Sequence, residues 1–291
     1  MKKEEKETYD RTIICSFSNK NVSIIKYSIW ECRNIGMLKI LKKIQKILID
    51  KKILNHKWKI FIYCGDKPPK HSFADNNDIE LFCTTTDIND KDVFPDYVFG
   101  NWWHIGLTDF DKFSKKISSE SSIKNILHNK IFWIGNPQKI PQRHLYIKML
   151  KEFPSILDGD KMTWKNHSKP SKFIEIKDHC KWKYLIDLEG SGWSGRLKLL
   201  PFCKRPLLIT KRKYYAWSDI QILKTNEYIS VNNNLDNLID KYLWLENNQD
   251  EAFKMSINLY NFCKKKFTFD NICLVGSKII EKKIQDKLFG F

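Results

Sequence analysis

Three glycines, two serines and an arginine fall within seven residues, Gly190-Ser191-Gly192-Trp193-Ser194-Gly195-Arg196. Glycine permits positive φ and close backbone approach. A helix opening after such a loop presents unpaired N–H groups and a partial positive charge, which together hold phosphate. Arg196 adds a planar fork able to grip a diphosphate at two points, and Ser191 or Ser194 is placed to cap the helix. Ahead of the loop, residues 184–188 form a short apolar run with one charged interruption, suited to an inner strand. Behind it, Pro206-Leu207-Leu208-Ile209 reads as the next strand. Strand, phosphate loop, helix and strand make half of a nucleotide-binding α/β domain.

Further candidates lie elsewhere. Phe132-Trp133-Ile134-Gly135-Asn136, followed by Pro141-Gln142-Arg143, reads as a second strand-to-helix turn, with Gly135 and Asn136 in the turn and Arg143 opening the helix. Asp66 follows an apolar strand ending at Cys64, in the position where open α/β sheets gather ligands. A carboxylate there either takes a proton from an acceptor hydroxyl or forms the turn ahead of Pro68. The segment Pro95-Asp96-Tyr97-Val98-Phe99-Gly100-Asn101-Trp102-Trp103 offers Phe99, Trp102 and Trp103 either as rings for a ligand or as core. His179 and Glu189 flank the strand, the first able to serve the fold and the second able to bond a ligand hydroxyl. Two D-x-D tripeptides, Asp109-Phe110-Asp111 and Asp158-Gly159-Asp160, follow no convincing strand and read as loop carboxylates, so no metal is expected.

The elements that must position these residues alternate. Strands are expected at 13–17, 58–64, 80–83, 130–134, 173–176, 184–188, 207–210 and 228–231, and helices at 35–54, 113–127, 143–152, 235–245, 250–264 and 270–289. Residues 93–106 read as an aromatic loop. The alternation predicts an α/β fold with parallel sheets. The chain is expected to divide into an N-terminal Rossmann-like domain at 8–125, a second Rossmann-like domain at 126–275 and a C-terminal helix at 276–291.

With 291 residues, 42% of them hydrophobic and 13% aromatic, the chain is long and apolar enough to fold around real cores. It contains no apolar stretch near the ~20 residues that span a bilayer, and no apolar core behind its charged first residues, so a cytoplasmic location is expected. The formal charge is +17, but of 51 basic residues only six are arginine and the other 45 are lysine, scattered along the chain. Scattered lysines describe a solvated surface, and no nucleic-acid partner is expected. The eight cysteines include no C-x-x-C pair or zinc spacing and read as reduced core thiols.

The run Asp178-His179-Cys180-Lys181-Trp182-Lys183-Tyr184-Leu185, with Ser194-Gly195-Arg196-Leu197-Lys198 after it, resembles the signature of the family 90 glycosyltransferases, the capsule-associated, KDEL-motif-containing and Rumi-like group. The aromatic segment, the Gly135 turn, Lys213-Tyr214-Tyr215-Ala216-Trp217 and Phe267-Thr268-Phe269-Asp270-Asn271 follow the same order, over roughly residues 58–275. Tyr63-Cys64-Gly65 departs from the family's N-x-R, and the end, Lys287-Leu288-Phe289-Gly290-Phe291, from its retention tail. The resemblance implies a GT-B-like fold, two Rossmann-like domains facing a central cleft. It implies transfer of glucose, xylose or a similar sugar from a UDP-sugar to a hydroxyl on a protein or glycan. The reaction would be inverting and metal-independent, with Asp66 as base and the UDP-sugar as co-substrate in place of any cofactor. Gly135, Asn136, Arg143, Gly192, Ser194 and Arg196 would hold the donor diphosphate, and Phe99, Trp102, Trp103 and Glu189 the sugar or acceptor. The alternative is a basic nucleic-acid or anionic-surface binding protein with a vestigial transferase cleft.

Overall fold

The computed structural model describes residues 3–54, 56–69, 71–137, 140–163 and 172–289. Along the chain run α1 (Lys3–Asp10), β1 (Thr12–Phe17), β2 (Val22–Lys26), α2 (Glu31–Asp50), β3 (Trp58–Tyr63), β4 (Ile79–Phe82), β5 (Thr84–Thr85) and α3 (Phe110–Ser119). Then come β6 (His128–Gly135), α4 (Pro141–Glu152), β7 (Leu157–Lys161), β8 (Trp182–Asp187), β9 (Leu207–Thr210), β10 (Tyr215–Ala216), α5 (Trp217–Leu223), β11 (Ile229–Val231), α6 (Leu238–Asn247), α7 (Gln249–Lys266) and α8 (Phe269–Phe289). The fold is α/β. It divides into two compact units, one made of Met1–Phe110, Tyr214–Trp217 and Phe267–Phe291, the other of Asp111–Lys213 and Ser218–Lys266.

The first unit carries a four-stranded sheet in the order β2-β1-β3-β4 and a two-stranded one, β10-β5. A parallel sheet was the expectation, yet β1 runs antiparallel to both β2 and β3, and only β3 and β4 are parallel. The cause is local. Ser18-Asn19-Lys20-Asn21 is a turn in which the Ser18 hydroxyl accepts from the Lys20 and Asn21 amides, and it folds β2 back on β1 as a hairpin. Helix α2 buries Met37, Ile40, Leu41, Ile44 and Leu48, the stripe expected of an amphipathic helix.

The second unit is built on a five-stranded sheet, order β11-β9-β8-β6-β7, in which every pair is parallel. Ile131, Trp133, Tyr184, Ile186 and Leu208 fill its core with Tyr146 of α4. This unit begins at residue 111, ahead of the 125/126 boundary read from the sequence, because buried Arg205 holds the intervening chain. Its guanidinium donates to the carbonyls of Ser121 and Ser122, each at 2.8 Å, and to that of Cys180.

Three local expectations are corrected. Residues 173–175 are not a strand, and Ile176–Lys181 is a 3-10 helix. Asp158-Gly159-Asp160 is not a loop but lies in β7, paired with Phe132-Trp133-Ile134. No α-helix opens at Arg196: the chain passes through turns into a 3-10 helix at Leu200–Cys203. Leu197, Lys198, Leu199 and Leu200 are all buried, so there is no solvent face to lay a helix on, and Pro201 follows at once.

Within the first unit, Gly36 of α2 and Gly100 lie in direct backbone contact. A methyl group on Gly100 would overlap the Gly36 carbonyl, and one on Gly36 would strike the carbonyl of Tyr97. This approach sets the first turns of α2 on the 95–101 segment. Gly100→Ala is expected to lower stability by about 1–3 kcal/mol through overpacking, read as a fall in the urea midpoint.

Candidate active site

Counted along the chain, the strands of the parallel sheet run in the order 2-1-3-4-5. The chain leaves β6 toward β7 on one side and returns to build β8, β9 and β11 on the other. Ligands of open α/β sheets sit beyond the strand carboxyl ends where the order reverses, here between the ends of β6 and β8. Gly135-Asn136 lies at one end and Asp187 at the other.

Asp187 has no exposure to solvent. Its Oδ1 accepts from the Ser194 hydroxyl at 2.8 Å and from Arg196 Nε at 3.2 Å, and its Oδ2 from Arg212 Nη2 at 2.6 Å. Burial pushes the carboxyl up, but the charges of Arg212 and Arg196 outweigh it and hold it below its usual value. Arg212 also lies 3.9 Å from Asp219. Arg196 gives its Nη1 to the Ile134 carbonyl, so two donors of the fork expected to face a ligand are engaged inside the protein. Ser194 caps no helix and serves Asp187 instead.

Arg143, in the first turn of α4, differs. Its Nη1 donates to the Asn136 carbonyl at 2.7 Å and its Nη2 to the Leu188 carbonyl at 3.3 Å. Among the described residues no carboxylate bonds it, and its Nε is buried without a hydrogen-bond partner. Burial, then the charge of Arg196, pull it down to about 10. The guanidinium carbons of Arg143 and Arg196 lie 5.5 and 5.3 Å from the centre of the Trp133 ring. Helix α4 starts on Pro141 without a side-chain cap, leaving its positive end at this crevice. Gly190 matters by close approach: a Cβ there would sit 2.6 Å from the Trp193 carbonyl and 3.4 Å from Arg143 Nη2. Gly192 is buried and has no positive φ, so the conformational freedom expected of it is not used. Glu189 accepts from the Lys213 amide at 2.7 Å.

In the first unit, Asp66 follows the end of β3, and Arg33 Nη2 donates to its Oδ1 at 2.9 Å. Phe99 is not a sugar platform. It is wholly buried, with its ring centroid 4.7 Å from that of Phe110, 5.8 Å from Phe267 and 6.1 Å from Trp217. Trp102 is half-buried and pairs with Leu107 through the backbone, whereas Trp103 is 46% exposed beside His104. The D-x-D carboxylates have protein partners. Asp158 accepts from Trp182 Nε1 at 2.7 Å, and Asp160 pairs with Lys172. The D-x-D at residues 109–111 leads into α3.

Asp187, Arg212 and Arg33 were missed as candidates in the sequence. Asp187 was visible as the charged residue interrupting an apolar run, and both arginines belong to the rarer of the two basic residue types.

Residues 28–282 match the family described as Glycosyl transferase family 90. This chain belongs to that family. It is similar to protein O-glucosyltransferase 1 of Homo sapiens, 25% identical over 162 residues, which is 53% of this chain and 41% of that protein. The likeness to protein O-glucosyltransferase 1 of Bos taurus is 25% over 152 residues, 50% and 39% of the two chains. The chain thus spans about two fifths of the length of these relatives. The signature of this family 90 chain, residues 178–185, forms the last turn of a 3-10 helix and the first four residues of β8, and so delivers Asp187 to the switch point.

Two measurements follow from the electrostatics. Asp187→Asn removes the carboxylate paired with Arg196 and one of the two beside Arg212, and is expected to destabilise the fold by about 3 kcal/mol, read as a lowered thermal midpoint. His179 is 3% exposed and burial pulls it from 6.5 down to about 3. The unfolded chain therefore binds a proton that the folded one refuses. Stability from this group is complete above pH 6.5 and is lost as pH falls toward 3, at up to about 1.4 kcal/mol per pH unit. His179→Gln should flatten that slope in urea midpoints measured against pH.

Proposed function

We propose that this family 90 chain transfers glucose, xylose or a similar sugar from a UDP-sugar to a hydroxyl on a protein or glycan. The observation that carries the donor side is Arg143, a largely buried guanidinium bonded to two carbonyls at the switch point of a parallel sheet. Beside it stand the positive end of α4 and the Trp133 ring. A diphosphate carries the charge such a site lacks. As the bond between the sugar and the diphosphate breaks, the leaving oxygen gains negative charge, and a preorganised guanidinium with a helix end stabilises that charge more than the ground state. The remaining donor of Arg196, held in place by Asp187, would add to it. Gly135 and Asn136 shape this turn by holding Arg143 through the Asn136 carbonyl.

On the acceptor side, Asp66 would take the proton of the attacking hydroxyl. Direct displacement on the sugar carbon inverts its configuration, and the base needs only to reach the acceptor oxygen. Trp103, and Trp102 in part, offer aromatic surface for a sugar or acceptor. The proposal extends to the GT-B class of fold, to metal-independent chemistry resting on arginines and a helix end, and to a reducing compartment, which eight free cysteines would suit. That the similar curated proteins are named for transfer of glucose to protein supports glucose as the first sugar to try.

The test is a panel of UDP-sugars, led by UDP-glucose and UDP-xylose, read by thermal shift and by UDP release. At least one should stabilise the protein and release UDP, with EDTA leaving the rate unchanged. Arg143→Ala should weaken UDP binding about tenfold or more. Asp66→Asn should bind UDP normally and lose about a hundredfold or more in turnover. Absence of any UDP-sugar response, with steeply salt-dependent binding to RNA or DNA, would favour the basic binding protein. Loss of activity in EDTA, restored by manganese, would remove the metal-independent part.

A further inference from the structure

Arg33 stands on the first turn of α2 and is 9% exposed. Its guanidinium carbon is 3.6 Å from the Trp30 ring centroid and 5.1 Å from that of Tyr97. Nη1 donates to the Cys64 carbonyl and Nη2 to Asp66 Oδ1 at 2.9 Å. One planar group thus bridges the carbonyl of Cys64, the residue just past strand β3, and the carboxylate two residues on. Its own freedom is removed by two aromatic rings and by the Gly36–Gly100 contact that seats α2 on the Tyr97 segment. Asp66 itself keeps 36% of its side-chain surface exposed. A stacked arginine whose two terminal nitrogens bond a fixed backbone carbonyl and the carboxylate can hold a partly exposed carboxylate in one orientation without covering it.

Resting on the assignment of Asp66 as the base, we propose that Arg33 is its positioning residue: it fixes Oδ1, and with it the rotation of the carboxylate, so that the acceptor hydroxyl meets a base already aimed. No atom of Arg33 needs to touch donor or acceptor. The surrounding architecture exists to hold this guanidinium flat: Trp30 on one face, Tyr97 nearby, and the strand-end carbonyl at one edge.

The experiment uses the full chain, with UDP-glucose as donor and water as acceptor, and follows UDP release. Arg33→Lys keeps a long side chain and the charge, but a single ammonium cannot bridge the Cys64 carbonyl and Asp66 in one plane. It should lower kcat by about tenfold or more, with KM for UDP-glucose and the UDP dissociation constant within about twofold of wild type. Arg33→Ala should lose more, and added methylguanidinium should restore part of its kcat in a saturable way. Melting curves and UDP binding are recorded for each variant, and Arg33→Lys decides the matter if Arg33→Ala does not fold. In Asp66→Asn, adding Arg33→Lys should cost nothing further, because the two residues act as one unit. Folded Arg33→Lys with wild-type kcat overturns the proposal, as does a rise in KM with kcat unchanged, which would make Arg33 a binding residue. If Asp66→Asn itself turns over like wild type, the assignment of the base has failed, and the Arg33 proposal fails with it. If Asp66→Asn is inactive and Arg33→Lys is not impaired, only the positioning role has failed.

Discussion

A carboxylate with no exposure to water governs the second unit. Removing Asp187 from solvent is tolerable only if charge and hydrogen bonds replace the water it loses. Ser194, Arg196 and Arg212 supply them. Meeting that requirement dictates the path of residues 188–196, which must curl back so that Ser194 and Arg196 reach the strand end they have just left. It also fixes Arg196 against the Ile134 carbonyl on the neighbouring strand. The switch point is therefore organised by an internal ion pair.

The two basic residue types divide the work. Of the six arginines, Arg33, Arg143, Arg196, Arg205 and Arg212 donate to carbonyls or carboxylates inside their units, and Arg11 pairs with Glu7 beside the Trp30 ring. Among the described lysines only Lys198 is fully buried. The delocalised guanidinium is weakly hydrated and presents several donors in one plane, so it can be buried and still satisfied, whereas an ammonium prefers water. A formal charge of +17 is thus largely lysine at the surface, and the six arginines contribute little to it.

The first unit repeats the device with different parts. At the end of β3, as at the ends of β6 and β8, an arginine joins a strand-end carbonyl to a nearby group, in this case a carboxylate. What differs is exposure: Asp187 is sealed and structural, while Asp66 remains open to solvent. The same pairing thus leaves one carboxylate enclosed and the other in reach of solvent.

The strands expected at 58–64, 184–188 and 207–210, the amphipathic pattern of α2 and the Gly135 and Gly190 turns are local features, and each was legible in the order of residues, to within a few residues at the strand ends. So was the family signature at residues 178–185, a contiguous run. What the chain order did not contain was who meets whom. Asp187 finds Arg212 25 residues away, and Arg33 finds Asp66 33 residues away, through strand order and helix seating that no local period encodes. Phe99 and Trp103 look alike in an aromatic segment, yet one is wholly buried and the other 46% exposed, since burial depends on what packs from distant elements. The helix expected after Arg196 is absent for the same reason: four consecutive residues are enclosed by the unit around them, and local propensity yields to that burial. Residue order by itself marked most elements and the chemistry on offer; tertiary packing decided which charges are enclosed, which stay exposed, and where they stand.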